Sequence, residues 1–339
     1  MWKCDFREFV KALQGGKTSR PVFYDLFLAN HIAEPLAGKP QDDTRLALIK
    51  RNAIAYAAMG YDFVEAIQPT FYFDHKSAHS AESATIDETQ AVEGWEDYEK
   101  YHWQEPDERI PIFLAAAAKH LPEGMKLFVP GPGGVLENAS MILGFSNMMI
   151  KLYDDPELVR TVVDGVGSRL LRYYEMVAQA PGVGAIMCND DWGHKTQTMM
   201  SPKHMREYIF PWHKKAVQII HNAGLPAVLH SCGEHRLIMD DIIDDMHYDG
   251  KHSYEDTIQP VEQAYDQYGD RICIIGGMDM DFLCRHSPED VYARSRAMLL
   301  KSREHGHYML GTGNSVARYL PLPQYQAMHQ AAYDLAEEW

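Results

Sequence analysis

LPAVLHSCG (225–233) decides how this chain is read. A short apolar run ends in polar residues and stops at Gly233, as a buried strand does on leaving a sheet. Side chains at i and i+2 of a strand share a face. His230 and Cys232 therefore project side by side, with Ser231 turned away. Imidazole and thiolate are common zinc ligands, and a catalytic zinc keeps three protein ligands and an open position. The competing reading is a buried cysteine beside a hydrogen-bonded core histidine.

The same alternation recurs on both sides of this stretch. Upstream lie YDFVEAIQ (61–68), KLFVPGPGG (126–134) and GAIMCNDDWG (184–193). Downstream lie YDGKHSY (248–254), ICIIGGMD (272–279) and HYMLGTGNS (307–315). Helix-period segments separate several of them. One is expected over 137–153, and a longer one from the cap pair Asp155-Pro156. A third, over 201–224, has Ser201 as cap and Pro202 at its first position. It should kink near Pro211 and stop at Gly224. Another opens at Ser287-Pro288-Glu289.

Strand, loop and helix repeated in this way argue for parallel strands and right-handed crossovers. About seven strands are clear on this pattern. The eighth is expected within 20–28 or within 110–120. A closed (β/α)8 barrel takes about 250 residues before insertions, which suits a chain of 339. The expectation is one α/β domain over 1–339, a TIM barrel with an N-terminal extension and an insertion near 72–110. An open doubly wound sheet is the alternative. In a barrel, the C-terminal strand ends carry the working site.

The net charge of −16 argues against nucleic acid or an anionic membrane as partner. No apolar stretch is long enough to span a bilayer, and MWKCDFREFV lacks a signal-peptide core. Cys4, Cys188, Cys232, Cys273 and Cys284 are few and scattered, so a reduced, cytoplasmic setting is expected rather than a disulfide framework.

Several residues join His230 and Cys232 as candidates. A third metal ligand is sought among Glu234, His235, His252, Cys273 and Asn314, with Glu234 preferred and Cys273 read as structural. Asp190 and Asp191 end a strand and could act as general acid or base, metal ligand, or clamp for substrate hydroxyls. His252 follows another strand and is a catalytic candidate, and His194 is a candidate for substrate contact. Pro130–Gly134 could admit a ligand close to the backbone, or be only a turn. Phe71 and Tyr72, in FYFDHK (71–76), could wall an apolar pocket or simply pack an insertion.

Four stretches together resemble the uroporphyrinogen decarboxylase superfamily, and within it the zinc-dependent cobamide methyltransferases. They are GPGGVLENASMILGFSNMMIKLYDDPELV (131–159), NDDWGHKTQTMMSPKHMREYIFPWHKK (189–215), LHSCG (229–233) and GTGNSVARYLPLPQYQAM (311–328). Two departures matter. The decarboxylases have an arginine-rich N-terminal motif for the porphyrinogen carboxylates, whereas SRPVFYDLFLAN (19–30) has one arginine. The methyltransferases complete His-x-Cys with a distant cysteine, whereas this chain has Gly311-Thr312-Gly313-Asn314-Ser315 there.

The resemblance implies a methyltransferase that moves a methyl group between a small substrate, such as a methoxylated aromatic, and a corrinoid protein. Zinc would be the Lewis acid on His230 and Cys232, and Asn314 would face the substrate. A homodimer is compatible with this reading. A decarboxylase-like lyase, and a non-catalytic corrinoid- or tetrapyrrole-binding protein, are the alternatives.

Overall fold

Short apolar runs that end in glycine, proline or polar residues leave little room for long strands, and the strands are short. The computed structural model describes residues 2–67, 71–74, 87 and 90–339. Seven strands pair in parallel and in chain order. They are β2 (Phe63–Glu65), β3 (Lys126–Pro130), β4 (Val183–Asn189), β5 (Ala227–His230), β6 (Gly250–His252), β7 (Cys273–Ile275) and β8 (Tyr308–Met309). Helices cover the outside, the longest being Pro156–Ala178. Asp155 caps that helix by accepting the Leu158 N–H, as its sequence predicts.

The eighth stave comes from the first of the two candidate segments. Phe23 bridges Leu310 in parallel, with Tyr24 N–H donating to Leu310 and Leu310 N–H to Val22, both at 2.9 Å. Further on, β1 (Leu26–Leu28) pairs with β9 (Ser315–Val316). Toward β2 the seam is filled by rings, with Tyr24 stacked on Phe63 at 5.4 Å. The other candidate, with four consecutive alanines, forms the helix Ile110–Ala118. The barrel reading therefore holds over the open sheet.

The helix expected over 137–153 is two helices, Val135–Leu143 and Phe145–Asp154. Gly144, at φ 72°, breaks them apart. At Pro211 the chain answers the missing N–H donor with a π-helical stretch, Met205–Ile209, placed just before the proline. Ser201 caps the preceding turn, accepting from His204 N–H at 3.2 Å.

The two ends of the barrel differ in chemistry. At the N-terminal end, the helix Phe6–Leu13 lies across the opening. Its Phe9 is fully buried, with ring contacts to Phe63 at 5.3 Å and Phe128 at 5.9 Å. Arg20, the one arginine of segment 19–30, forms a buried pair with Asp62 at 2.5 Å. At the C-terminal end, the loops after β4 and β5 touch backbone to backbone. Gly193 N–H donates to Cys232 O at 3.0 Å, and Glu234 N–H to His194 O at 2.9 Å. A Cβ on Gly233, which has φ 95°, would lie 2.2 Å from the Gly193 carbonyl carbon. Among the described residues no helix is long and apolar enough to cross a membrane.

Gly233→Ala should therefore destabilise the protein by about 2 kcal/mol or more, since strain and backbone overlap combine there. Urea unfolding followed by circular dichroism measures this, and an unchanged midpoint would refute the close approach.

Candidate metal centre

Register brings the inward-facing residues together. Asn189 lies opposite His230, and His230 opposite His252. Two residues further along each chain, Asp191 comes to Cys232 and its Oδ1 accepts the Cys232 N–H at 2.8 Å. Among the described residues, ligand atoms of Asp191, His230 and Cys232 all lie within 4.8 Å of one another. Cys232 Sγ is 3.6 Å from His230 Nε2.

A hydrogen-bond chain fixes the tautomer of His230. The carbonyl of Thr312 can only accept, so His252 Nε2, 3.1 Å away, carries a proton. Burial holds His252 well below the ordinary histidine range, so the ring is neutral and its Nδ1 is bare. His230 Nδ1, at 2.8 Å, must then be the donor to it. That leaves His230 Nε2 with a free lone pair on the side of Cys232 and Asp191. Metal-bound histidines are generally held by such a second hydrogen bond. Burial pushes the His230 imidazole down to about 4 and the Cys232 thiol up to about 12.

Asn314 stands beside the sulfur. Its Oδ1 accepts the Ser315 N–H at 2.7 Å, which turns Nδ2 toward Cys232 Sγ at 3.5 Å. The residue standing where the resemblance expects a cysteine is thus a donor to sulfur.

The adjacent acids part company. Asp190 is fully buried and turned toward the helix Val135–Leu143. It accepts Leu136 N–H and Glu137 N–H, each at 2.9 Å, and His213 Nε2 lies 3.0 Å from it. The turn Pro130–Gly134 makes room for that carboxylate, since a Cβ on Gly134 would meet the Asp190 Cβ at 2.0 Å. Asp190 is built into the wall, and Asp191 faces the cluster.

Other expectations are placed differently. Glu234, the preferred third ligand, is outside the group because its carboxylate is paired with Arg236. His252 sits behind His230 with both ring nitrogens engaged. His235 is buried with Nε2 2.8 Å from Ser231 Oγ, and Cys273 is buried at the start of its strand. His194 is exposed on its loop. Phe71 packs against Tyr173 and Phe73, and Tyr72 is exposed. His75 and Lys76 lie outside the described residues. The sequence raises a metal-ligand role for the Asp190–Asp191 pair without choosing between them, and the place of Asp191 beside His230 and Cys232 is what it leaves out. Carrying the β4–β5 register two residues on, from Asn189 and His230, would have found it.

The sequence profile of the uroporphyrinogen decarboxylase (URO-D) family matches residues 82–335. The chain belongs to the uroporphyrinogen decarboxylase family. Among solved structures it is similar to a "methyltransferase from Methanosarcina mazei", with TM-score 0.70, 17% identity, and 97% of this chain and 98% of that chain covered. It is also similar to a putative vitamin-B12-independent methionine synthase from Listeria monocytogenes. There the TM-score is 0.53 and the identity 11%, over 94% of this chain and 96% of that one. No curated protein matches the sequence. Within the uroporphyrinogen decarboxylase family, this member commits Arg20 to Asp62 at the closed end of the barrel, so segment 19–30 offers no guanidinium to a carboxylate-rich substrate.

The two acids should separate on substitution. Asp190→Ala is expected to destabilise the fold by about 3 kcal/mol, because it leaves buried N–H donors unpaired. Asp191→Ala is expected to leave thermal unfolding of the metal-free protein within a few degrees and to weaken zinc binding about 100-fold, read by competition with a chromogenic chelator. Equal loss of stability in both variants would refute this division.

Proposed function

We propose that this protein is a zinc-dependent methyltransferase acting in O-demethylation, moving a methyl group between a methoxylated aromatic compound and the corrinoid of a partner protein. The observation that carries this is the convergence of Asp191, His230 and Cys232 with the His230 Nε2 lone pair fixed toward the other two.

The donor set fits zinc. One imidazole nitrogen, one thiolate and one carboxylate are all zinc ligands, and three protein ligands leave a position for substrate. A zinc ion there would supply Lewis-acid stabilisation of an oxygen as it leaves. The rest falls to the chain. His252 and Thr312 keep His230 in the ligating tautomer. Asn314 donates to the cysteine sulfur, which lowers its electron density and leaves the centre more electrophilic. Asp191 adds a carboxylate where a second thiolate would donate more charge, with the same consequence. Such a centre suits a poor leaving group, and an ether oxygen is one. The helix at the N-terminal end leaves the C-terminal end for both the small substrate and the corrinoid.

The decisive experiment supplies the purified protein with zinc, a reduced corrinoid protein and a panel of methoxylated aromatics. A methylated-corrinoid absorption spectrum is expected, and its absence across the panel with zinc bound would sink the reading.

Zinc binding should also be linked to pH. Cys232 must lose a proton that it holds up to about pH 12, while His230 is already neutral above about pH 4. One proton is therefore released per zinc at neutral pH, and affinity rises about tenfold per pH unit between pH 6 and 8. Calorimetry in buffers of different ionisation enthalpy counts that proton. A zero count would mean the thiol is not a ligand.

A further inference from the structure

Glu65, at the C-terminal end of β2, is not used by the metal centre. Alternation along β2 puts it on the same face as Phe63. That face is the barrel interior, because Phe63 packs against Tyr24, Phe128 and Phe9. Glu65 therefore faces inward one layer nearer the mouth. The Tyr24 ring lies between the two walls, 5.4 Å from Phe63 and 5.0 Å from His252.

Glu65 is 6% exposed, and its carboxyl is only half satisfied. Its Oε2 accepts the Phe27 N–H at 2.8 Å. Its Oε1 is buried with no hydrogen-bond partner. Native structures rarely leave such a group unpaired without use. Burial, reinforced by the Asp25 charge, pushes Glu65 up to about 8, so it is an uncharged acid at neutral pH. Asp25, next door, accepts hydrogen bonds from Thr312 N–H, Thr312 Oγ1 and Tyr325 Oη. Since Oε2 is already an acceptor, the proton sits on Oε1.

The nearby hydroxyls do not take it. Tyr24 donates to Met187 Sδ at 3.3 Å. The Tyr56 hydroxyl is likewise buried and unpartnered. The result is a fixed O–H donor beside flat aromatic surface, with no acceptor supplied by the described residues.

We infer that Glu65 Oε1 donates a hydrogen bond to a second oxygen of the methyl donor, so that the substrate is an arene with a further acceptor oxygen besides the methoxy oxygen taken at the metal centre. This rests on the methoxyarene reading above and adds a specificity residue to it. A site with a buried polar group discriminates strongly against a ligand that leaves the group unpaired.

The test compares binding of methoxybenzene and the three dimethoxybenzene isomers to the zinc-loaded protein by calorimetry. The second methoxy oxygen can only accept, so it reports a donor on the protein. At least one dimethoxybenzene should bind the native protein about tenfold or more tightly than methoxybenzene. Glu65→Leu should abolish that preference. Glu65→Gln, whose amide can donate, should retain part of it. The native-minus-Glu65→Gln infrared difference spectrum should contain a carboxylic-acid stretch at neutral pH, and that band should shift when the preferred isomer binds.

A native protein that does not discriminate, a preference that survives Glu65→Leu, or the absence of the acid band overturns the inference. Corrinoid methylation without discrimination would remove the role of Glu65 and keep the methyltransferase. Discrimination without methylation by any isomer would keep the subsite and remove the methyltransferase.

Discussion

A peptide carbonyl has no proton to give, and the candidate metal centre is organised around that fact at Thr312. Because Thr312 O must accept, His252 must donate, and His230 must donate in turn. The nitrogen of His230 that keeps its lone pair free is thus set by a main-chain atom two hydrogen bonds away. Thr312 is itself held through its N–H and hydroxyl by Asp25, a fully buried carboxylate that also receives Tyr61 and Tyr325. The chain of contacts runs from the eighth stave, through the turn after β8, to β6 and then β5. Barrel closure and ligand orientation are one network.

The turn after β8 has a second function in the same place. Asn314 presents its amide to the sulfur that Thr312 indirectly faces. A turn that lacks the distant cysteine still shapes the centre, through a carbonyl on one side and an amide donor on the other. Asp191 completes the set from the opposite neighbour of β5. The candidate centre therefore draws on the loops after β4, β5 and β8, together with His230 at the end of β5 itself.

The barrel was legible in the sequence because the signal is local: short apolar runs, glycine stops and capped helices. The pair His230 and Cys232 was legible for the same reason, as a period-two pattern on one strand. Glu234 was preferred as third ligand because it is near in sequence, but Arg236, two residues on, binds its carboxylate at that same loop. Asp191 requires the register between β4 and β5, which no single strand encodes. Asp190 and Asp191 look alike on paper and differ only in which side of the loop each faces. One meets bare helix N–H groups at Leu136 and Glu137, the other meets Cys232. The aromatics at Phe71 and Tyr72 have the composition of a pocket wall, but Tyr173, on the long helix, gives Phe71 a packing partner outside the barrel.

The helix Phe6–Leu13 closes the far end of the barrel, with Phe9 wedged among the innermost rings. A tube with one end stoppered has a single doorway. If a bulky corrinoid stands in that doorway, a small methyl donor cannot pass it in either direction. On the proposed reaction, turnover would then follow a compulsory order: the donor enters first, the corrinoid docks over it, and the demethylated product waits until the corrinoid has gone. On the same proposal, premature docking of the corrinoid would make an unproductive complex, so excess partner protein would slow the reaction instead of saturating it.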